Sequence, residues 1–142
     1  MNAEVFVDTN VLLYTIDEDP ASASKRQRAQ QLVLSASWGW SVQVAAEFFV
    51  NATSAKRPFR LAAADAAALV DAWFAFPTLE LTPALFRAAV DLGRRFQVSY
   101  WDAAILAAAR QMGCHTVFSE DLNAGQDHDG VTVVNRFAGM TP

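Results

Sequence analysis

Residues 5–7, VFV, are apolar without alternation, and the residue that closes the run is an acid, Asp8, followed at once by TNVLLY. Three residues are too few for a buried helix. An unbroken apolar strand needs cover on both faces, the condition of a parallel sheet clad by helices. Two later segments share the pattern: CHTVFSED at 114–121, and GVTVVNRF at 130–137 after the turn-rich NAGQDHDG. GWSV at 39–42 and PTLEL at 77–81 are weaker strand candidates.

Long helical patterns lie between these strands. SASKRQRAQQLVLSA (22–36) is polar in its first half and is expected to bury Leu32 and Val33. VQVAAEFFVNATSA (42–55) and LAAADAAALVDAWFAF (61–76) are alanine-rich and amphipathic. TPALFRAAVDLGRRF (82–96) opens with Thr82 as N-cap and Pro83 at the first helical position. SYWDAAILAAARQMG (99–113) runs from Ser99 to a terminating Gly113. Strands alternating with helices give an α/β fold, a three-layer sandwich around a mostly parallel central sheet. With no internal repeat and no Pro/Gly/Ser-rich linker, 1–142 reads as one domain.

The hydrophobic share, 53%, against 18% charged, supplies a core and argues against disorder. No apolar run reaches the roughly 18 residues of a membrane span, and the start, MNAEVFVDTN, lacks the basic segment of a secretory signal. The lone cysteine, Cys114, has no partner for a disulfide, and His115 and His128 form no metal-spaced cluster. A cytoplasmic protein is expected. The net charge of −4 argues against a dedicated nucleic-acid binder. Yet the basic residues cluster at Lys25, Arg26 and Arg28, at Lys56, Arg57 and Arg60, and at Arg94 and Arg95. Solvated helix faces explain any one cluster; together they are candidate phosphate contacts.

In open parallel sheets, sites form beyond the carboxyl ends of strands, near a switch in strand order. Asp8 ends the first strand, and Glu120 and Asp121 follow the VF of another. Glu47 lies early in the helix after GWSV, and Asp102 opens the helix SYWDAAIL. Each acid has a structural explanation. Asp8 fits an N-cap, Ser99 with Asp102 fits a capping box, and Asp121 fits an Asx-turn. Glu47, between AA and FFV, has none. None of Asp8, Glu47 and Asp102 has a basic neighbour in sequence. If they meet, repulsion and burial raise their pKa values, and a hard divalent cation relieves both. Such a cation also lowers the pKa of a bound water and offsets charge on a leaving oxygen. A DxD phosphatase would need an acid where Asn10 stands, and no GxGxxG, P-loop or G-x-S-x-G motif is present. Metal-assisted phosphodiester hydrolysis survives.

VFVDTNVLLY, AAEFF, SYWDAAILAAA and TVFSEDLNAGQ, in this order, resemble PIN-domain ribonucleases, most closely the VapC-type toxins of bacterial toxin–antitoxin pairs. The resemblance covers essentially the whole chain. It implies a Rossmann-like PIN sandwich and endonucleolytic cleavage of RNA with Mg²⁺ or Mn²⁺, leaving a 5′-phosphate and a 3′-hydroxyl. By position it implies Asp8, Glu47, Asp102 and Asp121 as the catalytic acids, with Asp8, Asp102 and Asp121 as direct metal ligands. It likewise implies Thr9, Asn10 and Ser99 as supporting residues. Glu120, beside Asp121, and Asp127, further on, are further candidates for the same pocket. Substrate contacts are expected from Lys25, Arg26, Lys56, Arg57, Arg94 and Arg95.

The resemblance further implies a homodimer and a small antitoxin that lays a helix in an apolar groove and sends a basic side chain toward the acids. The aromatic residues Trp73, Phe74 and Phe76, with Trp38 and Trp40, suit either such a groove or the core. The alternative function is a catalytically silent PIN-like module that binds RNA or protein.

Overall fold

The first strand leads straight into the first helix because Asp8 takes extended backbone and Thr9 begins the helical turn. The structure, a computed structural model, describes residues 3–140. In chain order the elements are β1 (Val5–Val7), α1 (Thr9–Thr15), α2 (Ala23–Ser35), β2 (Trp38–Ser41), α3 (Val42–Ala52) and α4 (Ala63–Trp73). There follow β3 (Thr78–Leu79), α5 (Pro83–Phe96), α6 (Tyr100–Gln111), β4 (Thr116–Phe118), β5 (Asp127–His128) and β6 (Val131–Val134). A single 3-10 turn, Pro20–Ser22, capped by Asp19, precedes α2.

The strands form one six-stranded sheet in the order β3-β2-β1-β4-β6-β5. All neighbours are parallel except β5 with β6. From β1 the chain steps outward to β2 and β3, then returns through α5 and α6 to β4 on the other side of β1. Right-handed crossovers in opposite directions put the two helix groups on opposite faces. The expected three-layer α/β sandwich is therefore borne out, and β1 is flanked by the switch in strand order.

Both GWSV and PTLEL are strands, though the second contributes only Thr78 and Leu79 at the sheet edge. The turn-rich NAGQDHDG also carries strand β5, which pairs with β6 through the two-residue turn Asp129-Gly130. Both turn residues have positive φ, 57° and 91°, as a type I′ hairpin requires. In α2, Leu32 is buried as expected, whereas Val33 is only half-buried.

Caps fall where the residue types require them. Thr82 Oγ1 accepts the Leu85 N–H and Ser99 Oγ accepts the Asp102 N–H, both at 3.1 Å. After α6, Gly113 takes φ +79°; its N–H reaches the Arg110 carbonyl while Cys114 N–H reaches Ala109, closing the helix in a Schellman arrangement.

Helix α6 is buried from Ala103 to Ala109 and packs on β2, β4 and β6. Its alanines let the backbone lie close to the sheet. It also meets α5 closely: a Cβ on Gly93 would stand 3.2 Å from the Val98 carbonyl oxygen and 3.3 Å from Ala103 Cβ. Trp38, Trp40 and Trp73 are buried and meet edge to face at 5.8–6.3 Å, with Trp38 also stacked on Phe76 at 4.3 Å. These aromatics are core; of the aromatic stretch only Phe74 is exposed.

Gly39 in β2 has no space for a side chain. An added Cβ would meet Met112 Cε at 2.7 Å, Ala3 Cβ at 2.9 Å and the Pro77 carbonyl at 3.2 Å. Gly39→Ala is therefore expected to cost about 1–3 kcal/mol, the usual range for overpacking. A chemical-denaturation midpoint equal to that of the parent protein would contradict this.

Candidate active site

The carboxyl ends of β1 and β4 lie side by side, and the Asp8 N–H donates to the Phe118 carbonyl as the last rung between them. The next residues on each strand, Asp8 and Ser119, are both buried. Ser119 Oγ donates to Asp8 Oδ2 at 2.8 Å and accepts the Asp121 and Leu122 N–H groups at 3.2 and 3.3 Å. One hydroxyl therefore turns the chain after β4 and holds the first aspartate. Thr9 N–H donates to the other Asp8 oxygen at 2.7 Å.

Asn10 is the second tie. Its Nδ2 donates to Asp121 Oδ2 at 3.0 Å and lies 3.5 Å from Asp8 Oδ2, while its Oδ1 accepts the Glu120 N–H at 3.1 Å. The amide bridges two of the expected acids. Glu47 comes from α3, which starts at Ser41, the last residue of β2; Ser41 Oγ caps it by accepting the Val44 N–H. Glu47 accepts the Thr9 hydroxyl at 2.9 Å and the Gln43 amide at 3.2 Å. Asp102, in the first turn of α6, is half-buried. Its backbone N–H is capped by Ser99, which is exposed, so Ser99 acts on the helix start rather than on the carboxylates.

These elements enclose a pocket of about 240 Å³ whose lining includes Asp8, Glu47, Asp102 and Asp121. Thr9, Asn10 and Asn51 add polar atoms; Leu13, Trp101 and Ile105 supply the apolar wall, and no lining residue is basic. Burial pushes the Asp8 carboxyl from an ordinary 3.8 up to about 6. The Ser119 and Thr9 hydrogen bonds work against this, and the charges of Glu47 and Asp121 add to it. Burial thus outweighs the mutual repulsion of the acids.

The chain has a family. The PIN-domain model matches residues 5–126. This chain belongs to the PIN-domain family. The PIN fold is also that of VapC20 from Mycobacterium tuberculosis, described as a toxin that cleaves the sarcin–ricin loop. That structure aligns at 23% identity over 82% of this chain and 91% of its own, with a TM-score of 0.66. A toxin–antitoxin complex from Klebsiella pneumoniae aligns at 19% identity over 92% of this chain and 96% of its own, with a TM-score of 0.67. The DNA-bound VapBC of Salmonella typhimurium aligns at 17% identity over 93% and 97%, with a TM-score of 0.64. No curated protein matches the chain in sequence.

Glu120 and Asp127 stand apart from the pocket of this PIN domain. Glu120 accepts from Lys25 Nζ at 2.8 Å and from the Tyr14 hydroxyl at 2.6 Å. Its partial burial works upward on the carboxyl, but these two partners outweigh it and hold the pKa below the usual range. Asp127 is exposed in β5 and accepts the Gly130 N–H. Of the expected phosphate contacts, Lys25 is committed to Glu120 and only 17% exposed in its side chain, so it is not a free cation. Arg95 pairs with Asp129 at 3.2 Å. Arg57 Nη2 donates to the carbonyl of Leu13, which lines the pocket. Lys56 and Arg94 are exposed, and Arg26 is half-buried.

Ser119, Gln43, Asn51 and Trp101 were not singled out from the sequence. For Ser119 a signal existed: a serine ending a strand three residues before Leu122 has the spacing of a turn-forming hydroxyl.

The donor set suits a hard cation, because every polar group in the pocket offers oxygen or an amide. Among the described residues no three acidic, histidine or cysteine side chains converge closely enough to form a cage for an ion. A cation held there would keep several of its own waters and take only one or two carboxylates, as Mg²⁺ does. The raised Asp8 carboxyl has a consequence without any cation. Between about pH 4 and pH 6 the folded protein keeps a proton that the unfolded chain has released, so stability falls as pH rises, by on the order of 3 kcal/mol in full. In EDTA, the stability of Asp8→Asn relative to the parent is expected to improve by up to ~3 kcal/mol between pH 4 and pH 7. A pH-independent difference by chemical denaturation would show that Asp8 is not a buried anion.

Proposed function

We propose that the chain is a Mg²⁺- or Mn²⁺-dependent endoribonuclease, the toxin of a toxin–antitoxin pair. The observation that carries this reading is the pocket itself: four carboxylates from four separate segments, one of them buried, with no basic side chain among the lining residues. Such a pocket is poorly suited to holding phosphate by itself and well suited to holding a cation that holds phosphate. The membership in the PIN family and the resemblance in fold to toxins of such pairs support the same conclusion.

In this reading Asp8, Asp102 and Asp121 hold the cation. When bound, it supplies positive charge against the scissile phosphate and leaving oxygen and makes a nearby water more acidic. Glu47, fixed by Thr9 and Gln43, accepts the proton of the attacking water. Asn10 and Ser119 keep Asp8 and Asp121 in register. Arg57, at the pocket rim, with Lys56, Arg26 and Arg94, contacts the RNA backbone. Lys25 instead keeps Glu120 neutralised and away from the cation.

Asp8→Asn is expected to reduce cleavage of an RNA pool in Mg²⁺ by more than ~100-fold, and Ser119→Ala, which removes only an orienting partner, by ~10–100-fold. EDTA should abolish the parent activity, and products should carry a 5′-phosphate. Cleavage retained by folded, rigorously purified Asp8→Asn would sink the assignment. RNA binding with no turnover by the parent protein in either metal would favour the silent binding module.

The partner surface is the groove between α3 and α4, about 330 Å³, whose lining includes Val42, Phe49, Val70 and the exposed Phe74. An amphipathic antitoxin helix fits such a groove, with a basic side chain reaching the acids. The protein is expected to form a homodimer and to bind a short basic partner that inhibits cleavage. Phe74→Glu should weaken that inhibition at least ~10-fold while leaving cleavage intact. A monomer by light scattering, or inhibition indifferent to this change, would refute the respective claim.

A further inference from the structure

The chain has four tryptophans, of which Trp38, Trp40 and Trp73 are 1%, 0% and 7% exposed. The fourth, Trp101, is 62% exposed, and it lines the acidic pocket beside Asp102. A large aromatic left in water at the mouth of a polar pocket is not explained by the core. It is held in place, however. Its ring meets Tyr100 edge to face at 5.2 Å and 77°, and Tyr100 in turn packs on Phe86 at 5.4 Å. Ser99 caps the same helical turn. Trp101 is therefore braced by Tyr100 while most of its surface remains open.

The two halves of this pocket need different parts of one ligand. The carboxylates, through a cation, take a phosphate; the adjacent open indole takes a flat apolar ring. A nucleotide has both. Resting on the nuclease reading above, we propose that Trp101 is the platform on which an unpaired base next to the scissile phosphate stacks. Stacking of this kind needs a base whose face is free, which a base inside a duplex does not offer. Tyr100 also lines a neighbouring cleft of about 260 Å³ with Val90, Val98 and Arg94. A strand running past Trp101 in that direction meets a cation for its next phosphates. Stacking also supplies grip that charge does not, in a chain with a net charge of −4.

Since the other three tryptophans are buried, Trp101 is the one whose emission a stacked base can quench by contact, and the part of the quenching lost in Trp101→Ala reads it directly. The full-length Asp8→Asn protein, in Mg²⁺, is titrated with a single-stranded RNA 12-mer and with the same sequence as duplex. Emission is expected to be quenched by the single strand and much less by the duplex. Trp101→Ala should bind the single strand ~10-fold more weakly, whereas Trp101→Phe, which keeps an aromatic face, should stay within about threefold of the parent. In the cleavage-competent background, Trp101→Ala should raise KM and shift the preferred cleavage positions, with Trp101→Phe restoring both.

Single-strand binding with unchanged emission, or Trp101→Ala with unchanged affinity and cleavage pattern, overturns the proposal and leaves the nuclease reading standing. A parent protein that neither binds nor cleaves RNA overturns both. If Trp101→Ala instead changes the association state by light scattering with RNA affinity intact, the ring is a protein contact and the proposal fails.

Discussion

A carboxylate buried at the end of a central strand is the constraint around which the rest of this molecule is arranged. Asp8 sits where β1 meets α1, with its backbone committed to β4 and its side chain to Ser119 and Thr9. Burial alone would drive it toward the neutral form, and the two hydrogen bonds only partly counter that. The site is consequently under electrostatic tension before any ligand arrives. That tension falls in the one place where both neighbouring strands of a parallel sheet can bring further groups.

The chain separates its acids by giving some of them partners and others none. Glu120 is adjacent to Asp121 in sequence, yet the Lys25 ammonium and the Tyr14 hydroxyl draw it aside and fix it as an anion. Asp129 is similarly shared between Arg95 and Arg110. The pocket acids receive only neutral donors: hydroxyls from Thr9 and Ser119, amides from Asn10 and Gln43. Neutral donors orient a carboxylate without cancelling its charge, which leaves that charge available for a cation. A lysine at the position of Asn10 would put a positive charge between Asp8 and Asp121, lose the acceptor for the Glu120 N–H, and end the site.

Much of this was legible in the residues. Unalternated runs at 5–7 and 116–118 revealed a sheet covered on both faces, and Thr82-Pro83 marked a helix start that the structure places at that point. The convergence of Asp8, Glu47, Asp102 and Asp121 followed from topology, because each lies just past a strand or in the first turns of a helix. Less was legible where partner choice is a matter of three dimensions. Lys25 and Glu120 are 95 positions apart, so nothing local marked their pairing. Ser119 was hidden between a strand and two acids, and β5 was hidden in turn residues, although Asp129-Gly130 is a hairpin signal. Trp101 was masked by its own helix, since one aromatic in SYWDAAIL does not declare whether it faces the core or the pocket.

The close approach of α5 and α6 ties the chemistry to a distant part of the surface. Ala103, whose Cβ would crowd any side chain at Gly93, is the residue next to Asp102. The thickness of the α5–α6 contact therefore acts as a spacer that sets how far one carboxylate projects over the end of the sheet. A side chain at Gly93 would press on Ala103, the neighbour of Asp102, without touching a single lining residue of the pocket. Descendants of this sequence thus have a route to an altered spacing of the acids through helix packing, one that inspection of the acids alone would never reveal.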